Sequence, residues 1–189
     1  MTRLLDACAE VLDEVGYDAL TTREVARRAE VPIGTLYQFF GGKQALCGAL
    51  AQRNLEEWVR RMGVRFTAAP VGRWSDTAPV VVGEFVVMKR SVPGFGAVDF
   101  GDARPGRDHM LDGPAGEENN ALVARRLAEF GIRELGLGGG AAVEPVLRVA
   151  VEVTDGLLRL AFRADREGDP ALIAEAEWLL RSYLSARLP

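Results

Sequence analysis

The chain has 189 residues, a formal net charge of −4 and an apolar fraction of 48%, enough to bury the core of one compact unit or of a small domain with a larger one. The acidic balance excludes a protein that coats DNA indiscriminately, but it does not exclude a specific reader with locally placed cations. No apolar run approaches the roughly 18 residues of a membrane span and the N-terminus lacks the order of a signal peptide, so we expect a cytoplasmic protein that does not enter the membrane.

The first predicted element is an amphipathic helix over residues 3–15, and Gly16 is expected to end it. Acidic residues occupy its outer side, while apolar residues recur at helical spacing on the other side. These apolar positions are Leu4, Cys8, Val11, Leu12 and Val15.

Two short helices with a tight turn between them come next. Thr21 is placed to cap the second helix, and Glu24 three residues later can complete a capping box. Residues 30–32 are too few for anything but a turn, and the third helix spans about Ile33 to Phe40. Its inward positions are Leu36 and Phe40. Two short helices joined in this way are typical of a DNA-reading helix-turn-helix.

A long fourth helix starts at Lys43 and continues to Phe66, about 36 Å of rise if it is unbroken. Residues 67–78 form a linker punctuated by proline and glycine. The segment APVVVGEFVVMKR follows and contains a β-branched run that would suit a strand, but no partner strand is evident, so it is predicted as a buried helix.

The second half of the chain is also predicted to be helical. Pro93 to Gly116 is a loop with one short helix around Phe95 to Phe100, and Glu117 to Leu135 is a helix that ends in a run of glycines. Helices over Ala142 to Arg166 and Ala171 to Leu188 complete the chain, the last one capped by Asp169 with Pro170 in its first turn. The expected fold class is all-α, with about nine helices.

The last two helices carry more apolar surface than one neighbour can cover. One stripe of the terminal helix can face the chain's own bundle, and the second suggests a partner subunit, although a fully buried terminal helix in a monomer would also account for it. The candidate dimer-interface residues are Val153, Leu157, Leu160, Leu172, Leu179 and Tyr183.

The segment LTTREVARRAEVPIGTLYQFFGGKQAL, residues 20–46, resembles the TetR family of bacterial transcriptional regulators. The resemblance implies an all-helical homodimer with a DNA-binding domain over residues 1–46 and a ligand-binding and dimerisation domain over residues 47–189. It also implies a repressor that leaves a palindromic operator when a small molecule binds. Two departures stand out: Pro32 replaces a frequent capping serine, and Gly41-Gly42 replaces a proline with a small polar residue.

Six residues are candidates for contact with double-stranded DNA. The resemblance implies roles for Arg23, Thr35, Tyr37 and Lys43. From its chemistry, Gln38 is expected to read sequence, because its amide can bond adenine N6 and N7 together, and Gly34 would allow close approach of the backbone. Ile33 and Phe39 would contact bases or simply pack, and Arg27 and Arg28 are expected to face solvent.

The effector is expected to be a small hydrophobic or aromatic molecule, because the candidate pocket residues are mostly aromatic or sulfur-containing. Such residues on bundle helices more often form the core than a pocket, so the core is the alternative interpretation. They are Trp58, Met62, Phe66, Phe85, Met88, Phe95, Phe100, Leu122, Phe130, Thr154 and Leu158.

No cofactor or metal is expected, and enzymatic activity is not expected either. The sequence contains no HExxH, GxSxG, GxxxxGK or metal-spaced cluster, and its one histidine, His109, is interpreted as an exposed loop residue. Cys8 and Cys47 are interpreted as buried apolar residues, with a redox pair as the alternative if the first and fourth helices bring them together. A module that kept the fold but does not bind DNA is the second functional alternative, since residues 1–50 hold five basic side chains against seven acidic ones.

Overall fold

The computed structural model describes the backbone of residues 1–100 and 114–189 and the side chains of residues 1–100 and 119–189. These residues form eight α-helices and one short 3-10 helix and include no strand, so the all-α prediction is confirmed and the predicted number of helices is close. The elements are α1 (Thr2–Ala19), α2 (Thr22–Arg28), α3 (Ile33–Phe39), α4 (Lys43–Ala68), the 3-10 helix η1 (Trp74–Thr77), α5 (Ala78–Ser91), α6 (Pro114–Arg133), α7 (Val143–Ala161) and α8 (Pro170–Arg187).

The described residues divide into two compact units. The N-terminal unit takes in Met1–Glu56 and the described part of Ser91–Asn119, and the C-terminal unit takes in Glu57–Arg90 and Asn120–Pro189. The helix α4 therefore contributes its first half to one unit and its second half to the other. No helix among the described residues is long and apolar enough to cross a membrane.

Local sequence features explain the start of α2 and the turn between α2 and α3. The Thr21 hydroxyl accepts a hydrogen bond from the amide of Glu24 at 3.2 Å, so the predicted cap is confirmed. The prediction that Glu24 completes a capping box is wrong, because the Glu24 carboxylate accepts two hydrogen bonds from Arg27 instead, at 2.6 and 2.8 Å. In the turn, Glu30 has a φ of 55°, and the amide of Val31 bonds the carbonyl of Ala26 at 3.0 Å.

Two details of α1 differ from the sequence prediction. Gly16 has a φ of 73° and breaks the regular geometry, but helical turns continue on its far side to Ala19. Val15, predicted to face inward, is exposed, because the break at Gly16 leaves it at the end of the regular part of the helix.

The segment after α5 completes the core of the N-terminal unit. It forms turns rather than the predicted short helix at Phe95 to Phe100, with the amide of Val98 bonded to the carbonyl of Gly94 at 2.9 Å. Val98 is buried in the same apolar cluster as α1 to α4. The buried Asn54 of α4 holds this segment, because its amide donates to the Val98 carbonyl at 2.8 Å.

The C-terminal unit is organised around a residue in the predicted linker. Trp74 lies in η1, is fully buried, and donates from Nε1 to the Gly138 carbonyl at 2.9 Å. A Cβ at Gly131 would stand 2.4 Å from the Trp74 ring, so only glycine fits beneath it. Residues 67–78 are therefore not a simple linker, since part of this segment builds the core.

The helix prediction for APVVVGEFVVMKR is confirmed by α5, and the last two helices follow their end signals. The Asp169 carboxylate accepts from the amides of Ala171 at 2.8 Å and Leu172 at 3.4 Å, which confirms it as the cap of α8. The helix α7 ends at Ala161, short of the predicted Arg166, and the Ala161 carbonyl accepts from the Asp169 amide at 2.9 Å. The two helices pack against each other.

Candidate DNA-binding face and effector region

The third helix has one buried side and one open side. Leu36 and Phe40 are buried in the core of the N-terminal unit, which confirms them as the inward positions. Gly34 and Gln38 are exposed on the opposite side, and Thr35 is half-buried beside them. The side that the core leaves open therefore presents the amide of Gln38, the donor and acceptor group best suited to a base edge.

Tyr37 connects this open side to the start of α2. Its ring is exposed, and its hydroxyl lies 3.2 Å from the Thr22 hydroxyl. Arg23, the next residue of α2, is exposed and makes no ion pair within residues 1–100 and 119–189. The phenol therefore lies near the start of α2, where the exposed Arg23 follows Thr22, and both side chains can donate hydrogen bonds to an anion.

Lys43 is held at the first residue of α4 by two contacts. Its ammonium donates to the Asp18 carbonyl at 3.2 Å and lies 4.2 Å from the centre of the Tyr17 ring. These contacts fix the lysine against the end of α1, and neither of them neutralises its charge. The ammonium remains a cation that a phosphate can approach.

The two arginines at the end of α2 are engaged within the unit. Arg28 is not solvent-facing as predicted, because its guanidinium forms two bonds of 2.7 Å with the Glu14 carboxylate of α1. These bonds lower the pKa of Glu14 and raise the pKa of Arg28. Arg27 is exposed and bonded to Glu24, whose pKa it lowers. Arg28 therefore links α2 to α1, whereas Arg27 is paired within α2 itself.

The two cysteines meet inside the N-terminal unit. Both are buried free thiols, which confirms their interpretation as core residues, and α1 and α4 bring them into hydrogen-bond contact. That hydrogen bond and the burial together raise the pKa of Cys8. A raised pKa disfavours the thiolate of Cys8, which is the nucleophilic form of a cysteine.

Most of the effector candidates lie together in the C-terminal unit. Phe95 and Phe100 do not, because they belong to the N-terminal unit, where their rings meet edge to face at 5.4 Å. Leu122 and Phe130 are half-buried, and the other candidates are buried. These buried candidates are Trp58, Met62, Phe66, Phe85, Met88, Thr154 and Leu158.

The facing surfaces of α4 and α6 are aromatic. The Phe66 and Phe130 rings lie 6.0 Å apart, and the Phe130 ring also lies beside Gly63 of α4. Sequence reasoning missed Glu84, the one charged side chain in the apolar run of α5, which is buried with its carboxylate 3.3 Å from Arg65 Nε. A single charged residue within an apolar run was the sequence feature that could have identified Glu84.

One surface of the last two helices is apolar and exposed. Val153, Leu160 and Leu179 lie on it, while Leu157, Leu172 and Tyr183 are half-buried. Trp178 is 62% exposed, and the sequence prediction did not include it among the interface candidates. His109 lies outside the described residues, and those residues include no cluster of metal-ligating side chains.

The comparison with protein families covers both units. Residues 72–188 match the model of the tetracyclin repressor-like C-terminal domain, and residues 4–50 match the model of bacterial regulatory proteins of the tetR family. The chain belongs to the TetR family. The resemblance predicted from residues 20–46 is therefore confirmed, and it extends over a part of the chain where the sequence alone showed only the number and order of helices.

The TetR assignment is supported along nearly the whole chain by a crystal structure of a TetR-family transcriptional regulator from Streptomyces coelicolor. It is 45% identical, covers 99% of this chain and 98% of its own, and has a TM-score of 0.83. A TetR transcriptional regulator from a Rhodococcus species is 22% identical with a TM-score of 0.65 and shares the fold.

Two characterised repressors match the N-terminal segment. The HTH-type transcriptional repressor KstR of Mycolicibacterium smegmatis is 41% identical over 54 residues, and the class A tetracycline repressor protein of Escherichia coli is 44% identical over 54 residues. The matched segment is 29% of this chain and spans about a quarter of the length of these relatives, 26% and 25%. The likeness to these repressors is thus concentrated in the helix-turn-helix.

Proposed function

We propose that this TetR-family protein is a dimeric transcriptional repressor that binds a palindromic operator and is released from it by a small hydrophobic or aromatic molecule. One observation carries the proposal: the core buries Leu36 and Phe40 and leaves Gln38 and Tyr37 on the open side of α3. This is the arrangement that a recognition helix needs in a major groove. Its setting is the cytoplasm, where operator DNA is accessible.

Each candidate residue has a role that its chemistry supports. The Gln38 amide pairs with an adenine edge, and Thr35 bonds a base or phosphate beside it. Arg23, Tyr37 and Lys43 donate to backbone phosphates, which position the helix without reading sequence. Gly34 has no side chain and nothing within 4 Å of the place of a Cβ, so the helix can lie close to the DNA.

In this proposal, residues 1–46 bind DNA and residues 47–189 bind the effector and the partner subunit. The aromatic surface between Phe66 and Phe130 supports an apolar effector, and the exposed side of α7 and α8 supports a homodimer. An effector that fits only one arrangement of the bundle favours the spacing of the two recognition helices that belongs to that arrangement. It can shift the equilibrium by no more than its difference in affinity for the two arrangements.

The test is selection of bound sequences from random double-stranded oligonucleotides at low salt with the full-length protein. A near-palindromic site with half-sites about 34–36 Å apart is expected for a dimer of helix-turn-helix readers. Addition of small aromatic and aliphatic compounds to the complex should then identify one that releases the DNA. A confirmed dimer that enriches no sequence overturns the proposal.

A module that kept the fold without binding DNA is favoured by one observation, the internal pairing of Arg27 and Arg28 with carboxylates. The dependence of affinity on salt separates the two functions. Phosphate contacts release counterions, so the affinity of a DNA reader falls steeply as salt rises. A partner that binds with little dependence on salt and is not displaced by DNA would support the second function.

A further inference from the structure

Phe39 is the largest apolar side chain on the open side of α3. It is 54% exposed, whereas the adjacent Phe40 is buried, so packing into the core does not account for Phe39. The two rings touch at a tilt, with centroids 6.5 Å apart, which steadies Phe39 without covering it. A single exposed apolar residue is ordinary on a protein surface, so its position on the helix has to assign its role.

The position follows from helix geometry and from one contact. Tyr37 and Phe39 are two residues apart, about 200° around the helix axis, so they lie on opposite flanks with Gln38 between them. The Tyr37 flank is tied to α2 by the hydroxyl contact with Thr22 at 3.2 Å. In a helix-turn-helix the first helix crosses the DNA backbone, so the flank nearest α2 is the phosphate side. Phe39 therefore lies on the flank away from α2, next to Gln38 and facing into the groove from the other side of the helix.

We infer that Phe39 reads the 5-methyl group of a thymine in the major groove, beside the base pair that Gln38 bonds. This inference rests on the proposed DNA-binding function. The thymine methyl is the apolar group that the major groove presents, and a phenylalanine ring, with no hydrogen-bonding group, matches it. Thr35, four residues before Phe39 on the same flank and half-buried, adds a methyl group to the apolar surface there.

If Phe39 contacts a thymine methyl, that methyl group contributes a measurable part of the affinity for the operator. Replacing thymine by deoxyuridine removes the methyl and leaves the hydrogen-bonding edge of the base unchanged. Burial of one methyl-sized group corresponds to about a fourfold change in affinity, so two symmetric half-sites give about fifteenfold.

The experiment uses the full-length protein and its selected operator, with each thymine replaced in turn by deoxyuridine in both half-sites. Fluorescence anisotropy then gives the dissociation constants for wild type, Phe39→Ala, Phe39→Leu and Gln38→Ala. Wild type should lose about fifteenfold at one thymine position, Phe39→Ala should lose nothing there, and Phe39→Leu should keep part of the loss. Gln38→Ala is the control, since it removes a neighbouring reader and should keep the sensitivity to deoxyuridine.

Two results overturn the inference while the DNA-binding function stands. They are equal affinity of wild type for every deoxyuridine substitution, and a loss at one position that is the same in Phe39→Ala as in wild type. If wild type binds no DNA at all, the proposed function fails, and that result is separate from the other two. Because Phe39 is exposed, Phe39→Ala should have the same midpoint of urea unfolding as wild type. Circular dichroism measures both midpoints.

Discussion

The ammonium of Lys43 donates to the backbone carbonyl of Asp18 at 3.2 Å and lies over the Tyr17 ring, so the first residue of α4 is bound to the end of α1. A cation at a helix N-terminus opposes the helix dipole and needs compensation. The carbonyl and the ring supply part of it within the protein. A DNA phosphate, approaching the same ammonium, would supply the rest.

Lys43→Ala is expected to weaken binding to all operator sequences by a similar factor, because a phosphate contact carries no sequence information. Each subunit of the dimer loses one phosphate contact, so the slope of log affinity against log salt should become shallower by about 2. Lys43→Arg, which retains the charge, is the matched control and should keep most of the slope. Titrations at four salt concentrations measure both quantities, and an unchanged slope in Lys43→Ala would exclude the phosphate contact.

Gly94→Ala is expected to destabilise the N-terminal unit. Gly94 has a φ of +73°, and an added Cβ would stand 2.7 Å from the Ala9 carbonyl oxygen of α1. Backbone strain and overpacking together cost about 2 kcal/mol or more. Urea denaturation measures the loss. Gly96→Ala is the control in the same segment, because its Cβ would meet nothing within 4 Å; equal stabilities of the two variants would contradict the packing of Gly94 on α1.

Glu30→Gly is expected to stabilise the protein, which is unusual for a substitution by glycine. Glu30 has a φ of 55° in the turn before α3, where L-residues are strained and glycine is not. Glycine relieves the strain, but it also has more conformational entropy in the unfolded chain, which offsets part of the gain. The net increase in the free energy of unfolding is about 0.5–1 kcal/mol. Glu30→Gln keeps the strain while removing the charge, so its unfolding midpoint should match wild type. A gain of equal size in Glu30→Gln would assign the effect to charge.

The parts of the DNA-binding face that sequence predicted are those with local causes. Thr21 caps α2 because its hydroxyl reaches an amide three residues away, and Leu36 turns inward because of helical spacing. Gln38 followed from the same spacing, since a residue opposite the buried stripe must face outward.

The parts that sequence did not predict depend on pairs distant along the chain. Arg28 bonds Glu14 across 14 residues, and Asn54 bonds the carbonyl of Val98 across 44. Trp74 stood in a segment punctuated by proline and glycine, and its burial depends on Gly131. Helical periodicity holds no information about such partners, because each half of the pair looks like an ordinary surface or loop residue by itself.

Val153→Glu is expected to convert the proposed dimer into monomers. Val153 is 46% exposed on the apolar side of α7, and a carboxylate there would be duplicated across a symmetric interface and buried without a partner. Sedimentation equilibrium measures the mass. Val64→Glu, at an exposed valine of α4 outside the proposed interface, is the control and should remain dimeric. A dimeric Val153→Glu protein with the wild-type dissociation constant would place the interface elsewhere.

Glu57 is expected to link stability to pH below neutrality. Its carboxylate accepts from Arg60 and Arg61, and the hydrogen bond with Arg60 is the larger cause that lowers the pKa of Glu57 from 4.5 to about 2. Because the folded pKa lies below the unfolded one, the stabilisation is complete above pH 4.5 and is lost as the pH falls through about 2. Both arginines are partly exposed, so solvent screening reduces the contribution to about 1 kcal/mol. Urea midpoints of wild type and Glu57→Gln should therefore differ at pH 7 and converge towards pH 2. Glu56→Gln is the control and should show a smaller difference, because within residues 1–100 and 119–189 the Glu56 carboxylate accepts a hydrogen bond from the Gln52 amide and forms no ion pair. A constant difference between wild type and Glu57→Gln at all pH values would show that the loss comes from packing rather than from the charge.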